Sequence, residues 1–139
     1  MPTVLVVDDE LPLRRAVQSW LGRRGCEVHA ARGVVSARKC MKRFPFDGAF
    51  IDVWMAIETG LDLYDWMLTT YPGVAANVVF LTGDILPTPE LRARLERTGR
   101  PVLHKPFDLT ELDRCVSRWT YPSGRASGVA VTPGPRASA

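Results

Sequence analysis

Five short apolar runs recur along this chain, and each is followed by a stretch whose apolar residues fall three and four apart. Val4–Val7 is a continuous apolar run, the pattern of a strand buried on both faces. Leu13, Ala16, Val17, Trp20 and Leu21 then line one side of a helix, with Pro12 in its first turn and Gly25 at its end. Cys26–Ala30 reads as a second strand and 34–44 as a second helix, striped by Val34, Ala37, Met41 and Phe44. Ala49-Phe50-Ile51 gives a third strand ending at Asp52, and a helix over 60–71 carries Leu61, Tyr64, Leu68 and Tyr71. Val78–Leu81 is the fourth strand, with a helix over 89–98 behind Pro87 and Pro89. Val102-Leu103 is the fifth, and Leu109, Leu112, Cys115, Val116 and Trp119 stripe a last helix that Asp108 or Thr110 would cap. Strict strand–helix alternation predicts an α/β fold, a doubly wound five-stranded parallel sheet with helices on both faces and right-handed crossovers.

Such sheets place ligands outside the carboxyl ends of their strands. Those ends carry Asp8-Asp9-Glu10, Asp52, Thr82-Gly83-Asp84 and His104-Lys105-Pro106. Four strands thus deliver carboxylates, a hydroxyl and an amine to one rim. Clustered carboxylates repel unless a cation joins them. Hard oxygen donors of this kind suit Mg²⁺, which keeps several waters in an octahedral shell. Glu10 reads as first-turn helix chemistry rather than as a ligand, and His29 and His104 have no partners of metal-site spacing.

This set in this order resembles the receiver domains of response regulators. The resemblance covers about residues 3–120, and Gly60, eight residues after Asp52, matches the family's turn into its third helix. It implies a strand order 2-1-3-4-5 and a Mg²⁺-dependent phosphoacceptor. Asp52 would be the nucleophile and the phosphorylated residue, a carboxylate forming an acyl phosphate. Asp8, Asp9 and Asp52 would hold Mg²⁺ together with the Trp54 carbonyl. Thr82 and Lys105 would bind phosphoryl oxygens, and the bond between Lys105 and Pro106 would be cis. Trp54 and Asp84 occupy the two positions that tune phosphate lifetime in the family. Thr82 and residue 102 are its switch positions. Here the chain departs from the pattern, because Val102 stands where many receivers carry Tyr or Phe, and Ala56 follows Met55 where they carry Pro. Output is therefore expected through a surface other than the family's usual one.

The resemblance implies two-component phosphorelay signalling, in a chain that is a phosphoacceptor rather than an enzyme. A histidine kinase or phosphotransfer protein would supply the phosphoryl group, with docking near the first helix, and an effector protein would read it. The alternatives are an unphosphorylated pseudo-receiver, an Asp-nucleophile phosphatase and an FMN binder. The phosphatase needs Asp-x-Asp after the first strand, which Asp8-Asp9-Glu10 does not supply. The flavin protein needs a phosphate loop where this chain has carboxylates.

At 139 residues one domain is expected, taken as residues 1–121. Residues 122–139 are Pro-, Gly-, Ser- and Ala-rich with few large apolar residues, the composition of a disordered tail. Net charge is +3, but the arginines are scattered along helices, so neither DNA nor a membrane surface is expected as a partner. Three cysteines, without metal spacing or a secretory leader, fit a reducing cytoplasmic, bacterial setting. A monomer or weak homodimer is expected.

Overall fold

A computed structural model describes residues 1–83 and 86–120. The predicted tail at 122–139 lies outside the described residues. The elements run β1 (Thr3–Val7), α1 (Leu11–Gly22), β2 (Glu27–Ala31), α2 (Val34–Arg43), β3 (Gly48–Asp52), α3 (Gly60–Thr70), α4 (Pro72–Ala75), β4 (Val78–Thr82), α5 (Pro89–Arg97), β5 (Val102–His104) and α6 (Thr110–Ser117). All strand pairs are parallel, and the sheet order is β2-β1-β3-β4-β5. The expected fold and strand order are both found.

Side chains alternate across each strand, so every central strand feeds two cores. Leu5, Val7, Ala49, Ile51, Val78 and Phe80 face one way and pack on α2, α3 and α5. Val4, Val6, Phe50, Val79, Leu81 and Leu103 face the other and pack on α1 and α6. This double burial is why the strands read as unbroken apolar runs.

The short helix α4 was not anticipated. Tyr71-Pro72-Gly73 reads as a chain break, yet Pro72 sits in the first turn, where its missing N–H costs nothing. The last helix also ends earlier than its apolar stripe. Arg118 is its C-cap, and Trp119 lies beyond it, buried against Phe50 and over Gly48. A Cβ on Gly48 would come within 2.7 Å of the Trp119 ring. The expected cap by Asp108 or Thr110 is not found: Leu109 is the N-cap residue of this last helix, without a side-chain cap bond, and Asp108, one residue before it, accepts the Thr110 N–H on Oδ1 at 3.0 Å.

Candidate functional site

Strand register builds the site. Val7 pairs with Ile51, so the next residues, Asp8 and Asp52, emerge side by side. Asp52 is in turn paired with Leu81, and Thr82 with His104, which puts Lys105 on the same rim. The Lys105 N–H donates to the Thr82 carbonyl at 2.8 Å, and the Lys105–Pro106 bond is cis, as expected.

Asp8 is fully buried and Asp52 is 4% exposed. Lys105 Nζ lies 2.8 Å from Asp8 Oδ2, 3.6 Å from Asp52 Oδ2 and 3.4 Å from Glu10 Oε2. Asp8 Oδ1 accepts the Glu10 N–H at 2.8 Å, which orients the carboxylate and starts α1. The Trp54 backbone N–H beside the Asp52 carboxylate pulls it down slightly. Burial first, and then the charge of Asp8, push the Asp52 carboxyl up to about 7 against the pull of Lys105. Burial likewise raises Asp8. Burial would lower Lys105, but Asp8, Asp52 and Glu10 outweigh it and hold the ammonium above its ordinary range.

The rim is short of positive charge. One ammonium serves three carboxylates, two of them almost without water. Asp8, Asp9 and Glu10 can also bring one oxygen each within 4.8 Å of one another. An all-oxygen, electron-rich cluster in which burial raises Asp8 and Asp52 is the donor set that a hard divalent cation satisfies. The residues therefore fit Mg²⁺. Glu10 enters this cluster although its sequence context suggested only a helix start. It is the N-cap residue of α1, so its carboxylate turns back over the strand end instead of running along the helix.

Of the predicted site residues, Asp8, Asp52 and Lys105 make direct contact, and Asp9 joins through the acidic cluster. Thr82 is buried at the end of β4, its hydroxyl donating to the Gly83 carbonyl at 3.2 Å. Trp54 is exposed at the mouth. Val102 is half-buried and, with Thr82, Leu86, Leu95 and His104, lines a groove of about 380 Å³ under α5. Asp84 lies outside the described residues. His29 and His104 take no part: His29 stacks on Phe44 at 4.2 Å, and His104 is exposed.

The loop after Asp52 is closed by α3. Gly60 N–H donates to the Val53 carbonyl at 2.9 Å, and a Cβ at Gly60 would collide with the Asp52 carbonyl oxygen. Thr59 caps α3 through a reciprocal pair with Asp62.

Comparison with known proteins gives a consistent picture. Residues 4–117 match the response regulator receiver domain family. The chain is 30% identical over 113 residues to the response regulator protein PilR of Pseudomonas aeruginosa, covering 81% of this chain and 25% of that protein. It is 33% identical over 114 residues to protein PetR of Rhodobacter capsulatus, covering 80% of this chain and 45% of that one. It thus spans between a quarter and just under half of these relatives. Among solved structures, the Vibrio cholerae chemotaxis protein CheY4 superposes with a TM-score of 0.74 at 28% identity, over 86% of this chain and 99% of that one. No helix among the described residues is long and apolar enough to cross a membrane.

Proposed function

The chain belongs to the response regulator receiver domain family of two-component signalling, and from that premise we propose that Asp52 accepts a phosphoryl group in a Mg²⁺-dependent reaction. The observation that carries this reading is the pair of buried carboxylates, Asp8 and Asp52, bridged by Lys105 at 2.8 and 3.6 Å. An Asp52 carboxylate oxygen forms the new bond to phosphorus while the P–N bond of a phosphohistidine, or the P–O bond of acetyl phosphate, breaks. The departing imidazole or acetate keeps the bonding pair. Lys105 neutralises charge on the transferring group, and the Thr82 hydroxyl can turn from Gly83 to donate to it. Asp8, Asp9, Asp52 and the Trp54 carbonyl would hold Mg²⁺, which supplies charge neutralisation for in-line transfer when bound. Transfer of this kind asks mainly for position and charge, and the side chains named here offer both.

The chain then acts as a phosphoacceptor and not as an enzyme on other substrates. Its donor is a histidine kinase or phosphotransfer protein, and its reader an effector protein, in a bacterial cytoplasm. It works as a monomer or weak homodimer, without DNA or membrane contact of its own. Trp54 at the mouth shields the acyl phosphate from water. A shortened half-life of phospho-Asp52 is expected in Trp54→Ala, and an unchanged one removes that role.

Incubation with acetyl phosphate and Mg²⁺, read by intact mass, tests the whole reading. The expected result is a gain of one phosphoryl group, lost in Asp52→Ala and with a chelator. A wild-type protein that gains no mass overturns it in favour of a pseudo-receiver.

A further inference from the structure

The outer face of α2 is cationic and unpaired. Val35, Lys39 and Lys42 are exposed and fall four and three residues apart, so they share one face of the helix, with Arg43 beside Lys42. Arg32, also exposed, stands just before the N-cap Gly33. α2 itself holds no Asp or Glu. Among the described residues, none of Arg32, Lys39, Lys42 and Arg43 takes part in an ion pair. The helix dipole accounts for Lys42 and Arg43 in the last turn. It does not account for Lys39 at mid-helix, and it opposes a cation at Arg32.

The stripe ends at a groove of about 420 Å³, walled by Met41, Phe44, Phe46, Tyr71 and Val74, with Lys42 and Arg43 also lining it. The groove lies between the end of α2 and α4, at the entry to β3 and so at the pole opposite Asp52. Ring contacts set its walls in place. His29 stacks on Phe44 at 4.2 Å and meets Phe46 edge-on at 5.5 Å, and Trp66 meets Tyr71 at 5.4 Å. A groove formed in advance costs less ordering on binding, and this one falls in the range of about 300–1,000 Å³ typical of binding pockets.

We propose that this surface docks an acidic segment of a partner protein, which places an aromatic or large apolar side chain in the groove and carboxylates along Arg43, Lys42 and Lys39. Charge complementarity selects that occupant. The chain's own residues 121–139 include Arg125 and Arg136 and no Asp or Glu, so they do not complement the stripe. A single-stranded nucleic acid would stack its bases on free ring faces, whereas the Phe44 ring already has His29 stacked on it and the Arg43 guanidinium over it at 5.4 Å. The cations attract and orient the segment, and the groove supplies the buried anchor contact. No residue of this surface belongs to the rim around Asp52, so the docking does not depend on the phosphoacceptor reading.

Fluorescence anisotropy on the whole chain tests this. The probe is a fluorescein-labelled peptide with a single Trp followed by Glu residues spaced at helical period. The comparisons are the same peptide with Trp replaced by Ala, the same peptide with Glu replaced by Gln, and a labelled oligothymidylate of equal charge. The acidic Trp peptide should bind wild type, and more weakly as salt rises. The double variant Lys39→Glu/Lys42→Glu, at two exposed positions, should weaken it about tenfold, about threefold for each exposed charge. Phe44→Ala should weaken it as well, and backbone amide NMR shifts on titrating wild type should fall at residues 35–46 and 71–75. A wild-type chain that binds none of the peptides overturns the proposal, as does a Trp-to-Ala peptide that binds as tightly as its parent. Shifts confined to other residues, or binding untouched by Lys39→Glu/Lys42→Glu, overturn it too. An oligothymidylate that binds at least as tightly and is lost in the double variant makes the occupant a nucleic acid instead. Self-association without peptide that the double variant abolishes makes it a second copy of this chain, and either result overturns the acidic-segment assignment.

Discussion

Burial and charge oppose each other at Asp52. The carboxyl is 4% exposed, faces Asp8, and is pushed up to about 7. A carboxyl raised in the folded state favours folding in its protonated form. Its contribution is complete below about pH 4, the unfolded range, and is lost as pH climbs through about 7. In metal-free protein, Asp52→Asn should therefore gain stability relative to wild type between pH 4 and pH 8. The gap should grow by up to about 4 kcal/mol, the ceiling set by a shift of this size, and urea unfolding at pH 5, 6, 7 and 8 measures it. A gap that does not change with pH would show that Asp52 titrates as an ordinary surface acid. Asp8, Asp52, Thr82 and Lys105 were legible as a set because each ends a strand, and strand ends of a parallel sheet converge. Glu10 was not, because an acid at the start of a helix usually serves the helix. Its part in the cluster depends on the extended backbone at the N-cap, φ −92° and ψ 111°, which the residue type does not reveal.

Among the elements, apolar period identified the strands and the long helices, while the junctions depended on contacts between residues far apart in the chain. Asn77 is the sharpest case. It precedes β4, is 2% exposed, and looks like a turn residue in sequence. Its Nδ2 donates to the carbonyls of Asp47 and Thr120 at 2.8 and 2.7 Å, and its Oδ1 accepts the Thr120 N–H at 2.9 Å. One amide thus ties the entry to β3, the entry to β4 and the chain beyond α6 at the pole opposite Asp52. No local pattern announces such a role, because its partners lie 30 and 43 residues away. Asn77→Ala would leave the Thr120 N–H and two carbonyls short of a partner. A loss of about 2–3 kcal/mol is expected in denaturant unfolding, with phosphoryl uptake retained in the folded fraction. Gly60→Ala is the contrasting element-scale change. Its Cβ would collide with the Asp52 carbonyl, so it should displace the acceptor itself and slow uptake from acetyl phosphate. If Asn77→Ala slowed uptake as much as Gly60→Ala did, the two poles would not be separable in this way.

At the scale of the whole molecule, the sheet gathers negative charge at one end because four strands terminate there, and the stability of the fold becomes linked to whatever neutralises that end. Burial pushes Asp52 up to about 7, so a proton would compete with any divalent cation held by the same carboxylate. A ligand that binds only the folded chain stabilises it by about 2.7 kcal/mol at a hundredfold excess over its Kd. For a chain of this size that is a rise in Tm on the order of 9 °C. At pH 8 the Asp52 carboxylate is already ionised and Mg²⁺ should produce that full rise. At pH 6, one unit below the Asp52 value, most of the population must first give up a proton. The apparent affinity then falls about tenfold, which is about 1.4 kcal/mol, and the Tm rise should shrink accordingly. Asp8→Asn and Asp52→Asn should each flatten the response at both pH values, whereas Arg94→Ala on α5, whose guanidinium pairs with Asp62 and Asp65 on α3, should leave it unchanged. Thermal scans with and without Mg²⁺ at the two pH values decide the matter. Equal rises at pH 6 and pH 8 would mean that the ion is held by exposed groups such as Asp9 and Glu10, and that the buried pair of Asp8 and Asp52 does not bind it.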